Sequence, residues 1–171
     1  MHTDNPTETN ETNNEPRSDT PAVPEDPQAL AEAVAAAMLE RDAASRMLGM
    51  QVEAAAPGYA RVAMTVRDDM VNGHQTCHGG LIFSLADSAF AFACNSDNVN
   101  TVGAACTIDY LRPGHIGDRL VAEAEKRFGA GRSGVYDVTV RNQNDEIIVL
   151  FRGKSHRIRG EVIATMHDYA P

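Results

Sequence analysis

Asp87 is a lone carboxylate inside an apolar run, with Leu81-Ile82-Phe83-Ser84-Leu85-Ala86 before it and Ser88-Ala89-Phe90-Ala91-Phe92-Ala93-Cys94 after it. Taking a carboxylate out of water is costly unless it is paired or protonated, so its presence needs a reason. Two reasons compete: a hydrogen-bonded structural Asp at a subunit interface, or a reactive group, since perturbed carboxylates gather at functional sites. Just upstream stands His78-Gly79-Gly80. Two glycines opening a helix leave its first N–H groups sterically accessible, and the helix dipole adds partial positive charge there. Such an N-terminus can hold an anion or the oxygen of a polarised carbonyl, the logic of an oxyanion hole. Gly-Gly alone serves close packing equally well, and it gains meaning from the nearby Asp87.

Spacing relates the two features. Eight residues separate Gly79 from Asp87, roughly 12 Å along a helix axis. They cannot both touch one reacting carbonyl within a single chain. If both act in catalysis, the Asp comes from a second copy of the helix lying antiparallel across a two-fold axis. The expectation is a homodimer with two shared sites.

Cys77, beside His74 and His78, raises the rival chemistry of a Cys–His hydrolase. Adjacency in sequence does not supply that geometry, and a small loop thiol is usually structural. The spacing of Cys77, Cys94 and Cys106 matches no zinc pattern, and no metal or redox cofactor is implied. The polar, acidic N-terminus lacks the basic start and apolar centre of a secretory signal, which points to the cytoplasm and to reduced thiols. No charge-free apolar run is long enough to span a membrane. Twenty-four acidic against 15 basic residues, a net charge of -9, disfavour non-specific nucleic-acid binding but leave room for a local basic patch.

The elements that must position these residues are legible from periodicity. The 171 residues can hold one domain with a real core. Residues 1–27 are rich in Asn, Thr, Glu, Asp and Pro and read as a solvated tail. The domain spans 28–160, and 161–171 form a C-terminal tail. Ala29 to Met47 reads as one amphipathic helix, with Asp26 as cap, Pro27 in its first turn and Gly49 past its end. Met50 to Arg67 reads as strand, broken by a turn at Pro57-Gly58. Four more alternating segments follow: Thr101 to Leu111, with Val102, Ala104, Cys106, Ile108 and Tyr110 on one face; Arg119 to Arg127; Val135 to Asn142; and Glu146 to Ile158. Gln143-Asn144-Asp145 reads as a hairpin. The run from Gly80 to Asn95 is too long and Ala-rich for a strand, and too apolar for a surface helix, so the rest of the chain must wrap it. Its least apolar stripe, Gly80, Ser84, Asp87 and Ala91, marks where solvent or a cleft reaches it. An α+β layer fold follows, an antiparallel sheet covering a central helix.

The stretch N-G-H-Q-T-C-H-G-G-L-I-F-S-L-A-D-S-A-F-A-F-A-C-N-S closely resembles the signature of the hotdog-fold acyl-CoA thioesterases, specifically the PaaI (phenylacetic acid degradation) type. The resemblance continues through Ala105 to Gly114 (A-C-T-I-D-Y-L-R-P-G), Gly134 to Val138 and Phe151 to Ile158, covering about 29–160. It implies a long helix wrapped by an antiparallel sheet, pairing of subunits through a continuous sheet, dimers that assemble into homotetramers, and hydrolysis of a CoA thioester to acid and free CoA. By the same resemblance, the N–H of Gly79 polarises the thioester oxygen and Asn72 orients water or substrate. Asp87 of the neighbouring chain acts as general base, or as nucleophile through a mixed anhydride, and His78 shapes the loop. Some relatives carry a Ser or Thr on the next strand that holds the attacking water; here Ala105 stands there, with Thr107 nearby.

CoA brings phosphates, and Arg112, Lys154, His156, Arg157 and Arg159 are the candidates to meet them, with Gly80 and Pro113 beside the substrate. The acyl group implied is phenylacetyl or a ring-hydroxylated derivative, against which Met70, Phe83, Phe90 and Phe92 could pack if they are not simply core. A hotdog dehydratase would present a His and a Glu rather than Asp87, and a non-catalytic acyl-CoA sensor would need no base at all.

Overall fold

A computed structural model describes residues 23–163. Most of the expected N-terminal tail, and residues 164–171 of the C-terminal one, lie outside the described residues. Asp26 caps helix α1 (Pro27–Arg41), its carboxylate accepting the Ala29 N–H at 2.8 Å. The single helix expected to Met47 is in fact two, because Asp42 interrupts it. Asp42 closes α1 and opens α2 (Ala43–Met47), taking the Ser45 N–H at 3.0 Å. A short acidic side chain that offers the backbone a local partner competes with helix continuation. Gly49, at φ +71°, then turns the chain into the sheet.

Strands β1 (Gln51–Ala56) and β2 (Tyr59–Thr65) flank the Pro57-Gly58 turn, and a short 3-10 turn (Asp68–Met70) leads to the loop before α3 (Gly79–Asn95). Then come β3 (Val99–Tyr110), β4 (Arg119–Ala130), β5 (Ser133–Arg141) and β6 (Ile147–Glu161). All pairings are antiparallel, in one six-stranded sheet of order β1-β2-β4-β5-β6-β3. The sheet curls around α3, which contacts β2, β3, β4, β5 and β6. This is the hotdog arrangement that the resemblance implies. β6 runs to Glu161, and buried Val162 bonds through its N–H to Asn98 Oδ1 at 3.1 Å, so the folded body reaches past residue 160.

The core lies between α3 and the concave face of the sheet. Phe90, 2% exposed, packs on Tyr136 (ring centroids 5.5 Å apart) and on Phe151 (5.9 Å). Burying such a ring is worth about 2–3 kcal/mol. Gly153 makes room for it: a Cβ there would stand 2.9 Å from the Phe90 ring. Met70 and Phe92 are also fully buried, which settles them as core. At the far end of α3, Asn95 clasps Thr101, donating to its carbonyl (2.9 Å) and accepting its N–H (2.8 Å).

Two expectations fail on the open side of the molecule. β3 has no buried apolar face in the single chain: it is an edge strand, with Val102 46% and Tyr110 50% exposed. A bulge between Gly103 and Ala105 also breaks its alternation, setting Val102 opposite exposed His156 but Cys106 opposite buried Gly153. Asp87, expected to be buried, is exposed, because the stripe it shares with Gly80, Ser84 and Ala91 has no element of this chain over it. The stripe itself is where the sequence places it.

Candidate active site

The entrance to α3 is built by a loop that bonds to itself. Asn72 Oδ1 accepts the N–H of His74 (2.8 Å) and of Thr76 (3.4 Å) and the Thr76 hydroxyl (3.3 Å), and the Asn72 N–H reaches Thr76 O at 2.9 Å. Gln75, at φ +59°, closes the turn. Cys77 N–H then bonds Gly114 O, and His78 N–H bonds Met70 O, both at 2.8 Å. His78 is the N-cap: its Nδ1 accepts the Gly80 N–H at 3.0 Å, which assigns the imidazole proton to Nε2. Gly80, expected to serve the ligand, has its N–H taken by this bond.

The Gly79 N–H is left over. It has no acceptor among the described residues, and Gly79 lines a cavity of about 340 Å³ with Asn72, Thr76, Cys77, Ile82, Tyr110, Leu111, Arg112 and Pro113. Four of the residues singled out from sequence, Asn72, Gly79, Arg112 and Pro113, thus meet around one space. Arg112 is steadied by Nη1 on the Ile147 carbonyl at 3.0 Å. The arrangement offers an uncommitted N–H at a helix N-terminus, an amide and a cation, suited to receiving a carbonyl oxygen attached to an anionic carrier.

Residues 74–149 match the Thioesterase superfamily. Acyl-coenzyme A thioesterase PaaI of Escherichia coli (strain K12) is 52% identical over 126 residues, 74% of this chain and 90% of the relative. The chain belongs to the PaaI-type hotdog acyl-CoA thioesterases. The solved E. coli PaaI protein, from the phenylacetic acid degradation operon, superimposes with a TM-score of 0.79 at 50% identity, covering 80% of this chain and 99% of that one. A Streptococcus mutans protein solved with acetyl CoA, 26% identical, gives 0.62 over 66% of this chain and 90% of its own.

In this thioesterase the remaining predicted residues lie apart from the cavity. Asp87 sits farther along α3, with no hydrogen-bond or ion-pair partner among the described residues. Although open to solvent in the single chain, it is flanked by enough protein that burial raises its pKa above the usual carboxylate range. The basic residues do not converge. Lys154 and His156 alternate with buried Gly153 and Ser155 and face the outer side of the sheet. Arg157 pairs with Asp97 and lines a separate cavity of about 190 Å³ with Lys126, Ser133 and Tyr136. Arg159 is exposed near the end of β6. Ala105 and Thr107 pair with outward-facing Lys154 and Arg152, so neither is turned toward α3 in this chain.

The loop cysteine of this thioesterase is poorly placed to ionise. Cys77 is buried, and burial together with the charge of Asp118 pushes its thiol up to about 11, which disfavours a Cys–His nucleophile. Sequence reasoning missed Tyr110, which lies against Gly79. Its signal was available in I-D-Y-L-R-P-G, two positions before Arg112, but alternation alone assigned it to the apolar face of β3.

Proposed function

We propose that this thioesterase hydrolyses phenylacetyl-CoA and its ring-hydroxylated derivatives to free acid and CoA, working as a homodimer with two shared sites that pairs further into a tetramer. The carrying observation is the separation on α3 of an uncommitted N–H at Gly79 and an exposed, unpartnered carboxylate at Asp87. The Gly79 N–H receives the thioester oxygen, Asn72 orients the water or substrate, and Asp87 of the second subunit attacks or activates water. The unpaired edge of β3, with its exposed apolar side chains, supplies the surface on which a continuous sheet would form. Arg112 beside the cavity is the first contact for a CoA phosphate; Lys154, His156 and Arg157 reach a CoA only if it extends beyond this cavity. Half-buried Phe83, one turn before Asp87 and edge-on to Phe151 at 5.8 Å, is the aromatic left free to meet the acyl ring.

A panel of acyl-CoAs read with a thiol reagent tests the substrate: phenylacetyl and hydroxyphenylacetyl thioesters should lead, and equal turnover of straight-chain acyl-CoAs would sink the aromatic assignment. Gly79→Pro tests the shared site. Proline removes that N–H, is tolerated at the first position of a helix, and suits the extended conformation of His78 (φ −60°, ψ 128°). Mixing Gly79→Pro chains with Asp87→Ala chains, each strongly impaired but measurable alone, should restore one intact site per heterodimer, and absence of rescue would count against shared sites.

A further inference from the structure

The peptide joining Gly79 to Gly80 is held at both ends by side chains. Its N–H is taken by His78 Nδ1 at 3.0 Å, and its carbonyl accepts the hydroxyl of Tyr110 at 2.9 Å. The Tyr110 ring also lies flush with Gly79, its Cε1 standing 3.3 Å from where a Cβ would be. Tyr110 is itself fixed to the sheet: it pairs with Val149 of β6, and the next residue, Leu111, donates its N–H to Ile148 O at 2.9 Å. The first turn of α3 is therefore tied to the end of the edge strand through one hydroxyl.

We infer that Tyr110 is a positioning residue for hydrolysis, holding the first residue of α3 so that the Gly79 N–H stays aimed at the thioester oxygen. This rests on the reading that the Gly79 N–H polarises that oxygen. Tyr110 lines the same cavity, yet its hydroxyl proton is committed to the Gly79 carbonyl, so it works through the backbone rather than on the substrate. An oxyanion donor contributes through fixed direction, because charge on the oxygen grows only in the transition state. Loosening that direction lowers kcat and leaves KM alone.

The test is Tyr110→Phe, which keeps the ring and deletes the bond. Because Tyr110 is half-exposed, the melting temperature should stay near that of the parent. Loss of one such bond should lower kcat about five- to tenfold at unchanged KM. The effect should vanish in a Gly79→Pro background, where no N–H remains to be aimed. An unchanged kcat in Tyr110→Phe, or an equal loss in both backgrounds, overturns the proposal. If Gly79→Pro leaves hydrolysis intact, the polarisation reading itself falls, and the role of Tyr110 with it. Should the proline chain not fold, the amide proton of Gly79 gives the same comparison on binding a ketone analogue of the acyl-CoA. A downfield shift that shrinks in Tyr110→Phe supports the role, an identical shift in both proteins overturns it, and no shift in the parent overturns the polarisation reading.

Discussion

Gly79 and Asp87 stand eight residues apart on one unbroken helix, so an uncommitted N–H and an unpartnered carboxylate are held at a separation of roughly 12 Å. One thioester carbonyl cannot touch both from the same chain, and the helix that separates them is also what fixes each in place.

Asp87→Asn should abolish most turnover, with kcat falling about 10²- to 10⁴-fold as expected for loss of a catalytic base or nucleophile. The same change should raise the melting temperature at neutral pH. Burial raises the folded-state pKa of Asp87, so its ionised form is less favourable folded than unfolded. That penalty is fully present above the folded pKa and absent below the unfolded one, and the thermal gain should fade on acidification. A melting temperature lowered at neutral pH would contradict this assignment.

The pH profile of kcat/KM gives a second check. In the proposed role Asp87 acts ionised; because burial raises its pKa, activity should then fall toward acid with an inflection above that of an ordinary aspartate. Stopped-flow or thiol-release rates in constant-ionic-strength buffers would show it, and a rate flat down to the ordinary aspartate range would exclude Asp87 as the titrating group.

Gly153→Ala should destabilise the fold without touching the reacting groups. The added methyl would stand 2.9 Å from the Phe90 ring, which is wedged against Tyr136 and Phe151. Overpacking of this kind costs about 1–3 kcal/mol. Urea denaturation should show the midpoint moving down with the slope unchanged.

Alkylation should separate the thiols. Cys106 is exposed, whereas Cys77 and Cys94 are buried with thiols pushed up to about 11 and about 12. Iodoacetamide at neutral pH should leave Cys77 and Cys94 unlabelled in the folded protein, as mass spectrometry would show, and Cys77→Ser should keep its hydrolysis rate. Rapid labelling of Cys77 would reopen the thiol chemistry.

Much of the fold could be read from residue pattern because local rules and tertiary demands agree. Asp26-Pro27 starts α1, Pro57-Gly58 turns β1 into β2, Asn142 and Asp145 close the β5–β6 hairpin, and the Gly-Gly before the apolar run opens α3. The failures have physical causes. The break at Asp42 depends on a side-chain bond three residues ahead, which hydrophobic periodicity does not register. The bulge in β3 moves Val102 to the opposite face from Cys106 and defeats strict alternation. The apolar neighbours of Asp87 argue for burial, but burial depends on what covers a helix, and this chain leaves that stripe open. The site itself was half legible: Asn72, Gly79, Arg112 and Pro113 meet at the cavity, while Lys154 and His156 face the outer side of β6 and Arg157 lines a different cavity.

The clasp of Asn95 on Thr101 at one end of α3, and the His78 cap at the other, leave this helix no slack. Adding one residue between Gly80 and Asp87 would advance the carboxylate about 1.5 Å and swing it about 100° around the axis, off the open stripe to the place of Ser88, which is half-buried against Ser45 of α2. The proposed shared site therefore depends on the count of residues from Gly79 to Asp87.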